Sequence, residues 1–196
     1  SQHNGDNLMA YLGNEVAPLV QALEGKELKL DSDGDSSIQA SSDDTVVFKT
    51  NSNTALNIDA NGHITKPLQP AFLVHPASNQ DNISTGATTV VFGTERFDQN
   101  GDFASNTFTA PVTGKYLLTY SLYLEDMPND STYIETFLDT SNTRDYYHSI
   151  DPRGFDTVPI IVSMSQAHLV DLDANDTVAV KITQAGGSTT LDINTA

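Results

Sequence analysis

The segment Thr143-Arg-Asp-Tyr-Tyr-His-Ser-Ile-Asp-Pro-Arg-Gly154 holds two of the chain's three arginines, two tyrosines and a histidine. Aromatic rings stack on the apolar faces of sugars, and guanidinium and imidazole groups hydrogen-bond their hydroxyls. Arg144, Tyr146, Tyr147, His148 and Arg153 are therefore candidate receptor-binding residues. The acidic loop Glu125-Asp-Met-Pro-Asn-Asp-Ser-Thr132 adds Asp126, Asn129 and Asp130. Binding residues concentrate on loops held by a rigid scaffold, which favours both segments. The bland alternative is a polar connection whose Tyr146 and Tyr147 cap a core or a subunit seam.

Catalysis finds weaker support. His148, Ser149 and Asp151 supply the residue types for nucleophilic attack, but types without geometry do not make a triad, and no Gly-x-Ser-x-Gly elbow is present. Carboxylate pairs such as Glu125/Asp126 or Glu135/Asp139 are expected by chance in so acidic a chain. The expectation is no catalytic residue and no enzyme activity.

No resident cofactor or metal is expected. Asp31-Ser-Asp-Gly-Asp35 invites a calcium reading, yet its glycine falls at the fourth position of the loop and its twelfth residue is Ser42 rather than glutamate. Asp171-Leu-Asp-Ala-Asn-Asp176 departs from the pattern likewise. Both read as solvated turns, with structural calcium on a threefold axis as the alternative.

The 9 Lys+Arg and 26 Asp+Glu of the 196 residues give a net charge of −17. The deficit is spread along the chain: 4 minus 10 over residues 1–66, and 5 minus 16 over residues 67–196. Such a surface repels phosphate, so neither nucleic acid nor an anionic membrane is expected as a partner. Cysteine is absent, which removes disulfides and thiolate metal sites. No apolar run approaches the roughly 20 residues that span a bilayer, so no membrane insertion is expected.

These residues need positioning elements. In residues 1–30, Leu8, Leu12, Val16, Leu19 and Leu23 form a helical stripe that Pro18 interrupts, giving a short helical anchor or trimer lead-in. Residues 31–66 read as a thin β shaft. Its apolar residues come in alternating pairs, Val46 with Phe48 and Leu56 with Ile58, between turn-rich clusters. Asn61-Gly62 is the strongest hairpin signal. So few large side chains cannot offset a backbone ordering cost of about 1–2 kcal/mol per residue. Three copies wound about one axis could pool those pairs into a core; the alternative is a disordered acidic linker.

Lys66-Pro-Leu-Gln-Pro70 marks a boundary, since two prolines end strand pairing. Residues 67–196 hold seven of eight Phe and six of seven Tyr, enough for a sizeable core. Short strands are expected near 70–75, 89–98, 106–110, 115–124, 132–139, 144–149, 158–172, 176–184 and from 188, the signature of an antiparallel sandwich or barrel.

Within this region, Phe108-x-Ala110-Pro111-x-x-Gly114-x-Tyr116-x-x-x-Tyr120 resembles the core of the complement 1q globular-head family, related to tumour necrosis factor. Pro70-Ala-Phe72, Val90-Val-Phe92, Phe97 and the stretch from Val170 to Val180 extend the resemblance over residues 70–193. Asn175-Asp176 stands where the family has Gly-Asp, and the family's closing Phe-Ser-Gly strand has no counterpart before Ala196. That departure leaves the last strand and its sheet closure open. The resemblance implies a jelly-roll head and a homotrimer. In agreement, Tyr116, Leu118, Tyr120 and Leu122 fall on one face of their strand while Leu117 and Tyr123 fall on the other, where a strand wet on one side would be polar.

The junction from Asp59 to Phe72 resembles the link between shaft and head in structural proteins of tailed bacteriophages. The combined expectation is a mainly β, homotrimeric virion fibre or decoration protein located on the phage particle. Its N-terminal region would attach to other virion proteins, and its head would bind a host cell-surface glycan or protein. Two alternatives are a secreted complement 1q-like lectin, whose Asn82, Asn129 and Asn175 would be glycosylation acceptors, and a purely structural capsid or tail component.

Overall fold

The computed structural model describes residues 26–142 and 146–195. The helical stripe from Leu8 to Leu23, and Arg144, lie outside the described residues. The chain divides into two units, Ser1–Lys66 and Pro67–Ala196.

The first unit contains β1 (Leu28–Lys29), β2 (Ser37–Gln39), β3 (Val46–Thr50), β4 (Asn53–Ile58) and β5 (Ile64–Thr65). They pair antiparallel in strict chain order, a meander. Local turn chemistry sets each reversal. Asn51 and Ser52, both at positive φ, close β3 onto β4. The Asp59 carboxylate accepts the Asn61 and His63 backbone N–H groups, each at 2.9 Å, and closes β4 onto β5.

Register aligns the apolar residues across this sheet. Val46 stands opposite Ile58 and Phe48 opposite Leu56; Phe48 also faces Ile38, Ile38 faces Leu28, and Ile58 faces Ile64. Opposed residues share a face, so seven apolar side chains lie on one side of a small sheet. Phe48 remains 37% exposed and Ile64 61%.

The second unit contains β6 (Phe72–His75), β7 (Gln80–Ile83), β8 (Gly86–Thr89), β9 (Thr94–Asp98), β10 (Phe103–Ala104), β11 (Thr107–Thr109), β12 (Gly114–Glu125), β13 (Ser131–Thr140), β14 (Tyr146–Ile150), β15 (Ile161–Leu172), β16 (Thr177–Gly186) and β17 (Leu191–Asn194). One sheet has the order β10-β11-β16-β13-β14, the other β15-β12-β17-β7, and β6 pairs with β9. After β12 the chain crosses to the other sheet for β13 and β14, returns for β15, crosses for β16 and returns for β17. Such antiparallel crossing between two packed sheets is a jelly roll.

The core lies between the sheets. Leu122 and Leu124 of β12 and Met164, Val170 and Leu172 of β15 meet Phe108, Ile134, Leu138, Val178 and Ile182 of the other sheet. Each is buried, and burying a side chain of this size stabilises by about 1.5–3 kcal/mol. A buried hydroxyl pair spans the same interior: Tyr120 donates to Thr136 Oγ1 at 3.0 Å.

The strand expected from residue 188 is present as Leu191-Asp-Ile-Asn194, and the closure that the missing family motif left open is made by Leu191 and Ile193, buried between β12 and β7. Strand β7, Gln-Asp-Asn-Ile, was not expected, since only Ile83 of its four residues is apolar and buried.

Candidate recognition surface

The expected binding residues separate into two groups. Asp126, Asn129 and Asp130 occupy the β12–β13 connection, which turns at Asp126 with φ of 52°. Asp130 accepts the Ser188 backbone N–H at 3.0 and 3.1 Å. Those bonds hold its carboxyl below the usual range. It is thereby a brace between two turns. The second turn is pinned from below as well: the buried Gln184 Nε2 donates to the Gly186 and Thr189 carbonyls. Gly187 has φ of +94°, and a β-carbon there would collide with Ser131 Oγ.

Asn129 Nδ2 donates to the Phe155 carbonyl at 3.2 Å, which brings the connection between β14 and β15 to the same end of the sandwich. That connection opens with a 3₁₀ turn, Pro152–Gly154, capped by Asp151. The Arg153 guanidinium grips the Asp151 carboxylate with two bonds, of 2.8 and 2.7 Å. Their charge-assisted pairing lowers the Asp151 pKa to about 2. Arg153 is thus engaged within its own turn. Beyond it, Phe155, Val158 and Ile160 present apolar side chains to solvent.

Tyr146, Tyr147 and His148 sit on β14, an edge strand, and do not act together. Successive side chains of a strand point to opposite faces. Tyr146 packs on the core with its ring 5.1 Å from that of His168, and His148 shares its side. Tyr147 points outward, 52% exposed, with its ring 4.9 Å from Phe137 and tilted 31°. Ser149, on the outer face too, donates its hydroxyl to Glu135. Lys181, directly opposite Phe137 in register, pairs with Asp139 at 2.5 Å.

The outer face of β14-β13-β16 therefore carries the exposed Tyr147 ring over a buried Phe137, flanked by a Ser149–Glu135 bond and a Lys181–Asp139 ion pair. Tyr147 was expected from the sequence; Phe137, Glu135, Ser149 and Lys181 were not assigned to binding. The available signal was the alternation in β13, where Ile134, Thr136 and Leu138 point inward and leave Phe137 between two carboxylates on the opposite side, where it is only 6% exposed.

The geometry also bears on catalysis. His148 and Ser149 project to opposite faces, and Asp151 is held by Arg153, so these three do not form a relay. Glu135 and Asp139 are four residues apart on one strand, about 13 Å at ~3.3 Å per residue. Glycosidase carboxyl pairs stand about 5–9.5 Å apart. Both acidic loops serve as turns. Asp31 accepts the Gly34 and Ser36 N–H groups, and Asp176 accepts from Asp173 N, Ser141 Oγ and Asn142 Nδ2. Asp31, Asp33 and Asp35 each place an oxygen within 4.8 Å of the others.

The sheet orders and this surface define the second unit as a jelly-roll head, the fold class expected from the complement 1q resemblance. Among solved structures, the globular domain of a zebrafish complement 1qA protein is similar to the chain. It has 18% identity and a TM-score of 0.45, covering 64% of this chain and 94% of that one. No family model and no curated protein matches the sequence.

Proposed function

We propose that the protein is a homotrimeric adhesion module, a fibre or decoration protein of a bacteriophage virion. Its head holds a host cell-surface glycan or protein without turning it over. The observation that carries the self-association is a leucine pair. Leu117 of β12 and Leu169 of β15 are register partners on the outer face of their sheet, and they are 69% and 64% exposed. Large apolar side chains side by side on a sheet face mark an interaction surface. The exposed Leu28, Val46, Phe48 and Ile64 on one side of β1–β5 support the same reading for the first unit.

The recognition surface we assign is the Tyr147–Phe137 platform with its flanking polar pairs. The exposed Tyr147 ring, backed by the buried Phe137, offers a flat apolar face, and Glu135, Ser149 and Lys181 offer hydrogen-bonding groups at its rim. Each contact is weak alone. Three heads per assembly multiply the effective affinity without new contacts. The N-terminal region would supply attachment to other virion proteins.

Native mass spectrometry of the full chain, together with binding of the labelled protein to host cells, tests the proposal. A mass of three chains and saturable cell binding are expected. A folded single chain at micromolar concentration overturns the trimer, and release of sugar from host polysaccharide overturns the non-catalytic mechanism.

A further inference from the structure

The outer side of β13 continues past the Tyr147–Phe137 contact to a second exposed aromatic. Tyr133 is 39% exposed, and because Ile134 points inward, Tyr133 shares the outer face with Glu135 and Phe137. Register lays these residues out in rows across three strands. Ser149, Glu135 and Thr183 form one row, Tyr147, Phe137 and Lys181 form the next, and Tyr133 stands opposite Ala185 on the far side of the first. Tyr133 and Phe137 are four residues apart at ~3.3 Å each, and Tyr147 lies one strand over at ~4.8 Å, so the two tyrosines are anchored about 14 Å apart.

Between the tyrosines lie polar groups with bonding capacity to spare. Glu135 Oε1 accepts from the Ser149 hydroxyl, while Glu135 Oε2 and the hydroxyls of Thr183 and Tyr133 make no hydrogen bond to any described residue. Lys181 is held by Asp139 at 2.5 Å, which leaves the Glu135 carboxylate as the uncompensated charge of these rows.

The arrangement selects an occupant. A protein interface places apolar groups at its centre and polar ones at the rim; here the polar row is central and the tyrosine rings flank it. A linear glycan has the matching order, with apolar ring faces that stack on aromatic side chains and hydroxyls set between them along the chain. A hydroxyl that donates to a carboxylate makes a stronger bond than one between neutral groups. Uronates and sialates would bring their charge against Glu135, in a head with 5 basic and 16 acidic residues over 67–196, so complementarity favours an uncharged chain. Leu117 and Leu169 lie on the other sheet, so burial of that pair leaves these rows open.

We propose that Tyr133 and Tyr147 are two stacking positions of one binding site for an uncharged linear oligosaccharide, whose hydroxyls between the stacked rings are read by Glu135, Ser149 and Thr183. This rests on the adhesion reading and narrows its ligand from glycan or protein to glycan.

The test applies the labelled full chain to an array of uncharged gluco-, manno- and chito-oligosaccharides beside anionic oligogalacturonate, hyaluronan and sialylated chains, and to host cells before and after periodate oxidation of their sugars. Binding to uncharged chains alone is expected, unchanged by added salt, with attachment to cells lost after periodate. Tyr133→Ala should weaken array binding by about tenfold or more, and Tyr133→Phe, which keeps the ring, by less than about threefold. Wild-type affinity in Tyr133→Ala, or equal binding of uncharged and anionic chains, overturns the proposal. Attachment that survives periodate and is lost after proteolysis of the cell surface overturns it and leaves adhesion standing. Array binding without attachment to cells does the reverse, and binding to neither overturns both.

Discussion

The hydroxyl of Tyr120 on β12 donates to Thr136 Oγ1 on β13 at 3.0 Å, joining the two sheets of the head through the middle of its core. Both residues are buried, Tyr120 at 8% exposure and Thr136 at 0%. A polar pair placed there costs little while it is intact and destabilises when one member is removed, because the survivor loses its partner.

Tyr120→Phe should therefore cost about 1–2 kcal/mol of stability in urea unfolding, and Thr136→Val a similar amount. The double variant should cost less than the sum of the two, since it leaves no orphan.

The same pair fixes an alkaline limit. Burial raises the Tyr120 pKa above its ordinary value of 10.0, with the Thr136 bond acting in the opposite direction. A raised folded pKa means the unfolded chain ionises first, so this contribution is complete below pH 10 and is lost as pH rises through the folded pKa. Unfolding curves between pH 8 and about 11.5 should show wild type losing more stability than Tyr120→Phe.

Leu117 and Leu169 set the assembly test. Leu117→Asp combined with Leu169→Asp places like charges directly opposite each other on the outer face, which opposes burial between subunits. Native mass should fall from three chains to one, while far-ultraviolet circular dichroism keeps its β signature. Retention of trimers would move the interface elsewhere.

Tyr147→Ala should abolish detectable attachment of labelled protein to cells if its ring is the contact surface. Arg153→Ala should reduce attachment by less than about threefold, since its guanidinium is held by Asp151 and an exposed ion pair contributes little. The reverse ranking would move recognition to the loop end of the sandwich.

At the acid end, the Asp151 carboxyl should titrate near pH 2 by nuclear magnetic resonance, and in Arg153→Gln it should return toward its ordinary value of 3.8. A depressed folded pKa gives a contribution present above about pH 4 and lost as pH falls toward 2. The turn Pro152–Gly154 should accordingly keep its shape from pH 5 to 8.

Much of the head was legible because its strands alternate. The inward series Leu118, Tyr120, Leu122 and the outward Leu117 could be read directly, and each occupies the expected side. In the first unit the apolar doublets Val46/Phe48 and Leu56/Ile58 could be read from the sequence, but not that they stand opposite each other within one sheet. What escaped was set by tertiary contact. Strand β7 has a polar sequence and pairs with β17; Phe137 meets Tyr147 only across a strand pair. The grouping of Tyr146, Tyr147 and His148 failed for a simpler reason: adjacency along a strand separates side chains instead of gathering them.

The meander of the first unit bears on how such a chain can change its reach. Every strand from β1 to β5 pairs only with its predecessor and successor, so duplicating one hairpin adds a rung to the pairing without reordering the others. Length becomes a quantity that tandem copying can adjust in single steps, whereas the interlaced head tolerates no comparable insertion within its strands.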